Sequence, residues 1–296
     1  MVETPNADIA QRFREVARLL EEQGANPFRV NAYRHAAEML DRLDRPVTAI
    51  LEQDGMDGLR KLPGIGESLA RSIRDMIKLG RLPMLDRLRG ASDPVALLAS
   101  VPGIGEGLAQ RLHHDLGIDT LEELEAAAHD GRLRDIEGIG PKKLAGIIDS
   151  LASRLGRVRR RIGWGPQAGE PFPSVDELLD VDREYREKVE AGTLHRIAPH
   201  RFNPTGEAWL PVLHAQRGPR HYTALFSNTA RAHRLGKTRD WVVLYYDDGT
   251  HEHQCTVLTA QRGPLAGKRV IAGREADCEG YYAAHERSRS LVRRET

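Results

Sequence analysis

The chain is poor in cysteine. Two in 296 residues cannot build a disulfide framework, which points to a reducing cytoplasm. It has no apolar run near the roughly 18 residues that a membrane span needs. Its start, MVETPNADIAQRF, turns from polar to amphipathic without the charged, apolar and small-residue order of a secretory signal, so no signal peptide is expected. It also lacks an overall charge: 44 basic against 43 acidic side chains give +1. Any contact with a polyanion must therefore be local, because no broad basic field steers one. What is there, 40% hydrophobic and 29% charged residues, fits a folded protein of two or three domains.

The charge is unevenly spread. Residues 1–156 hold 21 basic and 25 acidic residues, residues 157–173 four arginines and one glutamate, and residues 174–296 19 basic and 17 acidic. Up to about residue 155 the apolar residues recur at helical spacing, as with Ile9, Phe13, Val16 and Leu20 in NADIAQRFREVARLLEEQGA. No strand is expected before residue 157. GRVRRRIGWGPQAGEPFPS then reads as a linker. Beyond one more helix, PSVDELLDVDREYREKVEAG, the period changes to two. AWLPVLHAQ, RHYTALFS, WVVLYYDDG, HQCTVLTAQ and KRVIAG read as strands, DDGT as a hairpin turn and NTARAHRLG as a short helix. AQRGP, at 215–219 and 260–264, reads as two similar turns.

The expected protein is multidomain: an all-α N-terminal half followed by a small α+β domain with a mainly antiparallel sheet. The expected bounds are 1–85, 86–155, the linker 156–173, the α+β domain 174–285 and a frayed tail 286–296.

The most specific signal is a repeat. LPGIGESLARSI at 62–73 returns as VPGIGEGLAQRL at 101–112 and as IEGIGPKKLAGI at 136–147. Each copy places two glycines at a sharp bend before a helix, where positive φ is tolerated and the main chain can be approached closely. The helix adds unpaired N–H groups and the positive end of its dipole. Such a turn cradles a phosphodiester oxygen and reads no base edge. Gly64, Gly66, Gly103, Gly105, Gly138 and Gly140 are the expected phosphate contacts. Glu67 and Glu106 would compete with an incoming phosphate. In the third copy Pro141, Lys142 and Lys143 add positive charge instead, making it the strongest candidate. Arg159, Arg160 and Arg161, beside Arg157 in the linker, could follow phosphates next to it.

These helices and turns, with NPFRVNAYR, LPGIG and LGIDTLEELEAAAHDGRLRDIEGIG in this order, resemble the N-terminal region of bacterial-type family-X (polymerase beta-like) DNA polymerases over half of the chain. The resemblance implies a lyase-like helical domain followed by helix-hairpin-helix units. It also implies a phosphate or DNA-end pocket at Arg29 and Tyr33. In the animal branch the helix after the first hairpin carries a Schiff-base lysine. The matching position here is Ser72, which cannot form an imine, and a second phosphate-binding lysine matches Ser68. Lys61 and Lys78 are the nearest amines. The family's palm needs a Gly-Ser turn and three carboxylates holding Mg²⁺. DVD at 180–182 reads as helix and YYDDG at 245–249 as strand and turn, so the palm is not found.

No catalytic residue and no metal ligand is assigned. His251, His253, Cys255 and Cys278 have no standard zinc spacing. Arg262, Lys268, Arg269 and Arg274 beside Tyr281 and Tyr282 read as a sheet edge more than as a basic strip. No cofactor is expected, a monovalent cation at a hairpin being the one ion left open. The sequence therefore points to a bacterial, cytoplasmic, nucleoid-associated protein that binds the DNA backbone, nicked or gapped duplex included, in repair or end recognition. No membrane is expected as a partner. Two alternatives stay open. One is a repair enzyme: a deoxyribose-phosphate lyase, a polymerase-like nucleotidyltransferase remnant, or a nuclease in the C-terminal domain. The other is an adaptor whose hairpins are structural.

Overall fold

A computed structural model describes residues 6–90, 93–133, 136–155, 172–247 and 252–292. The first helical body comprises α1 (Asn6–Glu22), α2 (Pro27–Asp41), α3 (Val47–Arg60), α4 (Glu67–Leu79) and α5 (Pro83–Leu88). Ile9, Phe13, Val16 and Leu20 form the buried stripe of α1. Phe13 meets Tyr33 of α2 edge to face, with ring centroids 5.3 Å apart. The second body comprises α6 (Pro94–Ala99), α7 (Glu106–Leu116), α8 (Leu121–His129) and α9 (Pro141–Arg154) around its own core of Leu98, Leu112, Leu124, Ile147 and Leu151. No described residue before 156 lies in a strand. No helix among the described residues is long and apolar enough to cross a membrane.

The C-terminal part is α10 (Val175–Glu190), β1 (His195–Ile197), β2 (Leu210–Arg217), β3 (Arg220–Phe226), α11 (Ala230–Arg234), β4 (Val242–Asp247), β5 (Glu252–Thr259), β6 (Arg269–Ile271) and α12 (Glu275–Val292). The strands form one antiparallel sheet in chain order. Strand β1 and helix α12 carry no clear signal in the sequence. The helix runs through residues 286–292, where a frayed tail is expected. The two AQRGP segments differ: the first closes the tight β2–β3 hairpin, in which Arg217 pairs with Arg220, while the second opens a longer loop before β6. DDGT lies outside the described residues beyond Asp247.

Period-2 alternation gives the sheet two unlike faces. One carries Tyr222, Ala224, Val242, Leu244, Tyr246, Cys255 and Val257 and packs with α10 and α12. Buried Tyr185 of α10 ties this layer down. Its hydroxyl donates to the carbonyl of Pro211 at 3.1 Å and accepts from the N–H of Phe226 at 3.0 Å. The other face carries His214, Thr223, Tyr245, Asp247, Glu252, Gln254 and Thr256. This polar face docks on the N-terminal helices. Gln23 bonds His214 at 3.0 Å, Asn26 bonds Gln216 at 2.6 Å, and Glu122 accepts from Gln254 at 2.8 Å and Thr256 at 2.9 Å. Arg87 of α5 pairs with Glu252 and lies 3.9 Å over the ring of Tyr245.

Candidate nucleic-acid interface

The three glycine turns are built alike. Gly64, Gly103 and Gly138 have φ of +75°, +89° and +88°, a region that a side chain would strain. The next residue, Ile65, Ile104 or Ile139, is buried and anchors the turn to its core. Its N–H donates to the carbonyl three residues back, at 3.1, 3.0 and 3.1 Å. Gly66 and Gly105 are extended and open α4 and α7, and Gly140 precedes Pro141 of α9. All six glycines are exposed.

The helices of the chain begin in different ways. Asn26, Asp93, Thr120, Ser174 and Thr229 cap five other helices with a side-chain oxygen on a first-turn N–H. Helices α4 and α7 have no side-chain cap, as α3 and α5 have none, but of these four only α4 and α7 open on an exposed glycine. Their first-turn amides are left for an outside acceptor.

Hairpins two and three share a surface. A Cβ added to Gly103 would lie 3.5 Å from Lys143 Cγ, and one added to Gly138 would lie 3.8 Å from Arg111 Nη2. Arg111 also donates to the carbonyl of Glu137 at 3.0 Å. Thus α9 leans a lysine over turn two while α7 leans an arginine over turn three. Lys142, Lys143 and Arg111 are all exposed. Hairpin one differs, because Glu67 at its helix start accepts from Arg60 at 2.5 Å, and Arg60 also pairs with Asp57.

Arg29 and Tyr33 stand apart from this surface. They lie under β3–β5, beside a pocket of only 40 Å³ lined also by Ser68, Ser72, Thr223 and Asp247. The Tyr33 hydroxyl is 3.3 Å and Arg29 Nη2 is 3.5 Å from Met84 Sδ. Burial lowers the pKa of Arg29. Ser68 donates to Asp247 at 2.9 Å, and buried Ser72 donates to the carbonyl of Ser68 at 3.0 Å. The chain thus brings its own carboxylate, Asp247, to the rim of this pocket. His214 and His221 on the same face have pKa values pushed down to about 3 and about 4, by burial first and then by the charge of Arg29.

The remaining candidates fall elsewhere. His253 stacks on Tyr246 with centroids 5.2 Å apart, and Cys255 and Cys278 are buried, with thiol pKa values raised by burial. Asp180 accepts from Arg217 at 2.8 Å, and Asp182 accepts from Arg269 at 2.9 Å. Lys268 pairs with Glu286 at 2.7 Å and Arg274 with Asp277 at 2.9 Å. Arg159, Arg160, Arg161 and His251 lie outside the described residues. The residues that join the sheet to the helices, among them Arg71, Arg87, Asp247 and Glu252, form no motif. Asp247 and Glu252 leave a trace only as the polar half of the strand alternation, and Arg71 and Arg87 leave none.

Two family models match. A helix-hairpin-helix domain covers residues 4–82, and a SAM-like helix-hairpin-helix tandem covers residues 95–153. Over 183 residues the chain is 29% identical to the DNA polymerase/3'-5' exonuclease PolX of Bacillus subtilis (strain 168), a stretch making up 62% of this chain and 29% of that protein. The N-terminal region is family-X-like. The chain spans less than a third of that relative's length. Within the family-X-like region, the exposed hairpin turns and the covered Arg29–Tyr33 pocket are the two sites that geometry separates.

Proposed function

We propose that this chain binds DNA through its sugar-phosphate backbone, without reading base sequence, in a repair or DNA-end setting, and that it performs no polymerase chemistry. One observation carries the reading. Two neighbouring turns expose main-chain amides, uncapped on α7, beneath Lys143 and Arg111 and with exposed Lys142 in the first turn of α9, and nothing in that arrangement discriminates one base from another. The helix-hairpin-helix models and the likeness to a DNA polymerase support it. The pairing of Asp180, Asp182 and Asp247 with arginines supports the non-polymerase part. Hairpins two and three are the primary contact. The covered Arg29–Tyr33 pocket is secondary, and nucleoid association in the cytoplasm follows from the same reading.

The test is a titration of the whole chain with unrelated duplexes across a salt series. Similar affinities for all sequences and a steep fall with salt are expected. Lys142→Glu with Lys143→Glu weakens binding to every duplex and flattens the salt slope by about two. Absence of binding at low salt, or an unchanged affinity in the double variant, overturns the reading.

A further inference from the structure

A groove of 620 Å³ runs between α4, α9, hairpin two and the docked sheet. Its volume is of ligand size, that of a few nucleotides at most rather than of a duplex. Hairpin two lines it with Pro102, Gly103 and Ile104, so the groove begins at the turn read above as a backbone contact. Its wall is basic. Arg71 and Arg87 are committed to Asp247 and Glu252. Arg74 pairs with Asp75 of the same wall at 2.7 Å, so Lys78 and Arg154 remain.

Arg154 is the informative one. Its Nη1 donates to Ser100 Oγ at 2.9 Å, and no carboxylate lies within ion-pair distance of it among the described residues. Glu252 and Asp75 act on it only through space, and burial lowers its pKa. A guanidinium drawn out of water beside a hydroxyl, facing an open groove, suits an anion arriving from outside. Lys78 is exposed at the same groove, next to exposed Leu79, whose apolar surface can meet a sugar or base.

We propose that this groove holds a single-stranded extension of the DNA, its phosphates on Lys78 and Arg154, leading away from the duplex at hairpin two. The proposal rests on the backbone-binding reading and names the DNA form that reading leaves open. A free mononucleotide is the competing occupant of the same phosphate chemistry.

The full chain is titrated with a blunt duplex and with the same duplex carrying a short 5′ or 3′ single-stranded extension. One of the extended forms binds about tenfold tighter than the blunt one, as added phosphate contacts require. Lys78→Glu and Arg154→Gln each remove most of that preference and leave blunt-duplex affinity unchanged. Lys78 is exposed, so its variant decides the matter if Arg154→Gln folds poorly. Equal binding of blunt and extended forms, a preference that survives Lys78→Glu, or displacement of the extension by a mononucleotide overturns the groove proposal. Failure to bind the blunt duplex at all overturns the underlying reading instead.

Discussion

Arg71 of α4 grips Asp247 at the end of β4, across 176 residues of sequence, with Nη1 at 3.1 Å from Oδ1 and Ser68 adding a hydroxyl at 2.9 Å. The arginine side chain is 9% exposed and the aspartate 21%. The pair fastens the C-terminal sheet to the family-X-like region.

Removing one partner leaves a buried charge unmet. Asp247→Ala destabilises the folded chain by about 3 kcal/mol. Arg71→Met combined with Asp247→Leu costs less than the two single changes together, because the desolvation penalty goes with both charges. A denaturant double-mutant cycle measures the coupling, and additive losses refute it.

Acid loosens the same face. His214 has a folded pKa of about 3 and His221 of about 4, against 6.5 without the fold. Above pH 6.5 both rings are neutral folded or unfolded. As pH falls below 6.5 the unfolded chain takes protons that the folded chain refuses, so stability drops through this window. Glu252 extends the trend lower. Burial opposes its charge, but Arg87 outweighs that and sets its folded pKa below 4.5, so its contribution is lost as pH falls further. Denaturation midpoints at pH 7 and pH 5 show the loss, and His214→Gln reduces it. A midpoint indifferent to pH over this range contradicts the burial of these rings.

Gly105→Ser separates stability from binding. Gly105 is extended, with φ −83° and ψ 170°, and nothing lies within 4 Å of an added Cβ. The new hydroxyl caps α7 and stabilises the protein by about 0.3 kcal/mol. It also occupies an amide that a phosphate would use, so DNA affinity falls. Higher melting temperature with undiminished affinity shows that the turn does not touch DNA.

Gly90→Ala tests the docking itself. Gly90 has φ +73°, its carbonyl accepts from the N–H of His200 at 2.8 Å, and a Cβ would come 2.6 Å from the carbonyl oxygen of Ala198. The backbone must part there, at a cost of about 2 kcal/mol or more. Hydrogen exchange should quicken at 195–200 and along β2 while the cores of the two helical bodies stay protected. Unaltered exchange along β2 refutes the strain.

The sequence alone determined what depends on neighbours along the chain. Helical spacing marks α1 as amphipathic, and the Gly-Ile-Gly spelling sets a positive φ, a buried anchor and an uncapped helix start within a few residues. The strand pattern marks β2 to β6, though β1 and the mixed α12 carry no pattern that can be read. What the alternation could not say is what covers the polar face. His214, Thr223, Tyr245, Glu252 and Gln254 meet a second polar surface, and hydrogen bonds and ion pairs between distant residues leave no period in either segment. Tertiary structure alone decided that Arg29 and Tyr33 lie under the sheet with Asp247 at their rim. It also decided that Lys143 leans over turn two and Arg111 over turn three, since only folding brings separate helices face to face.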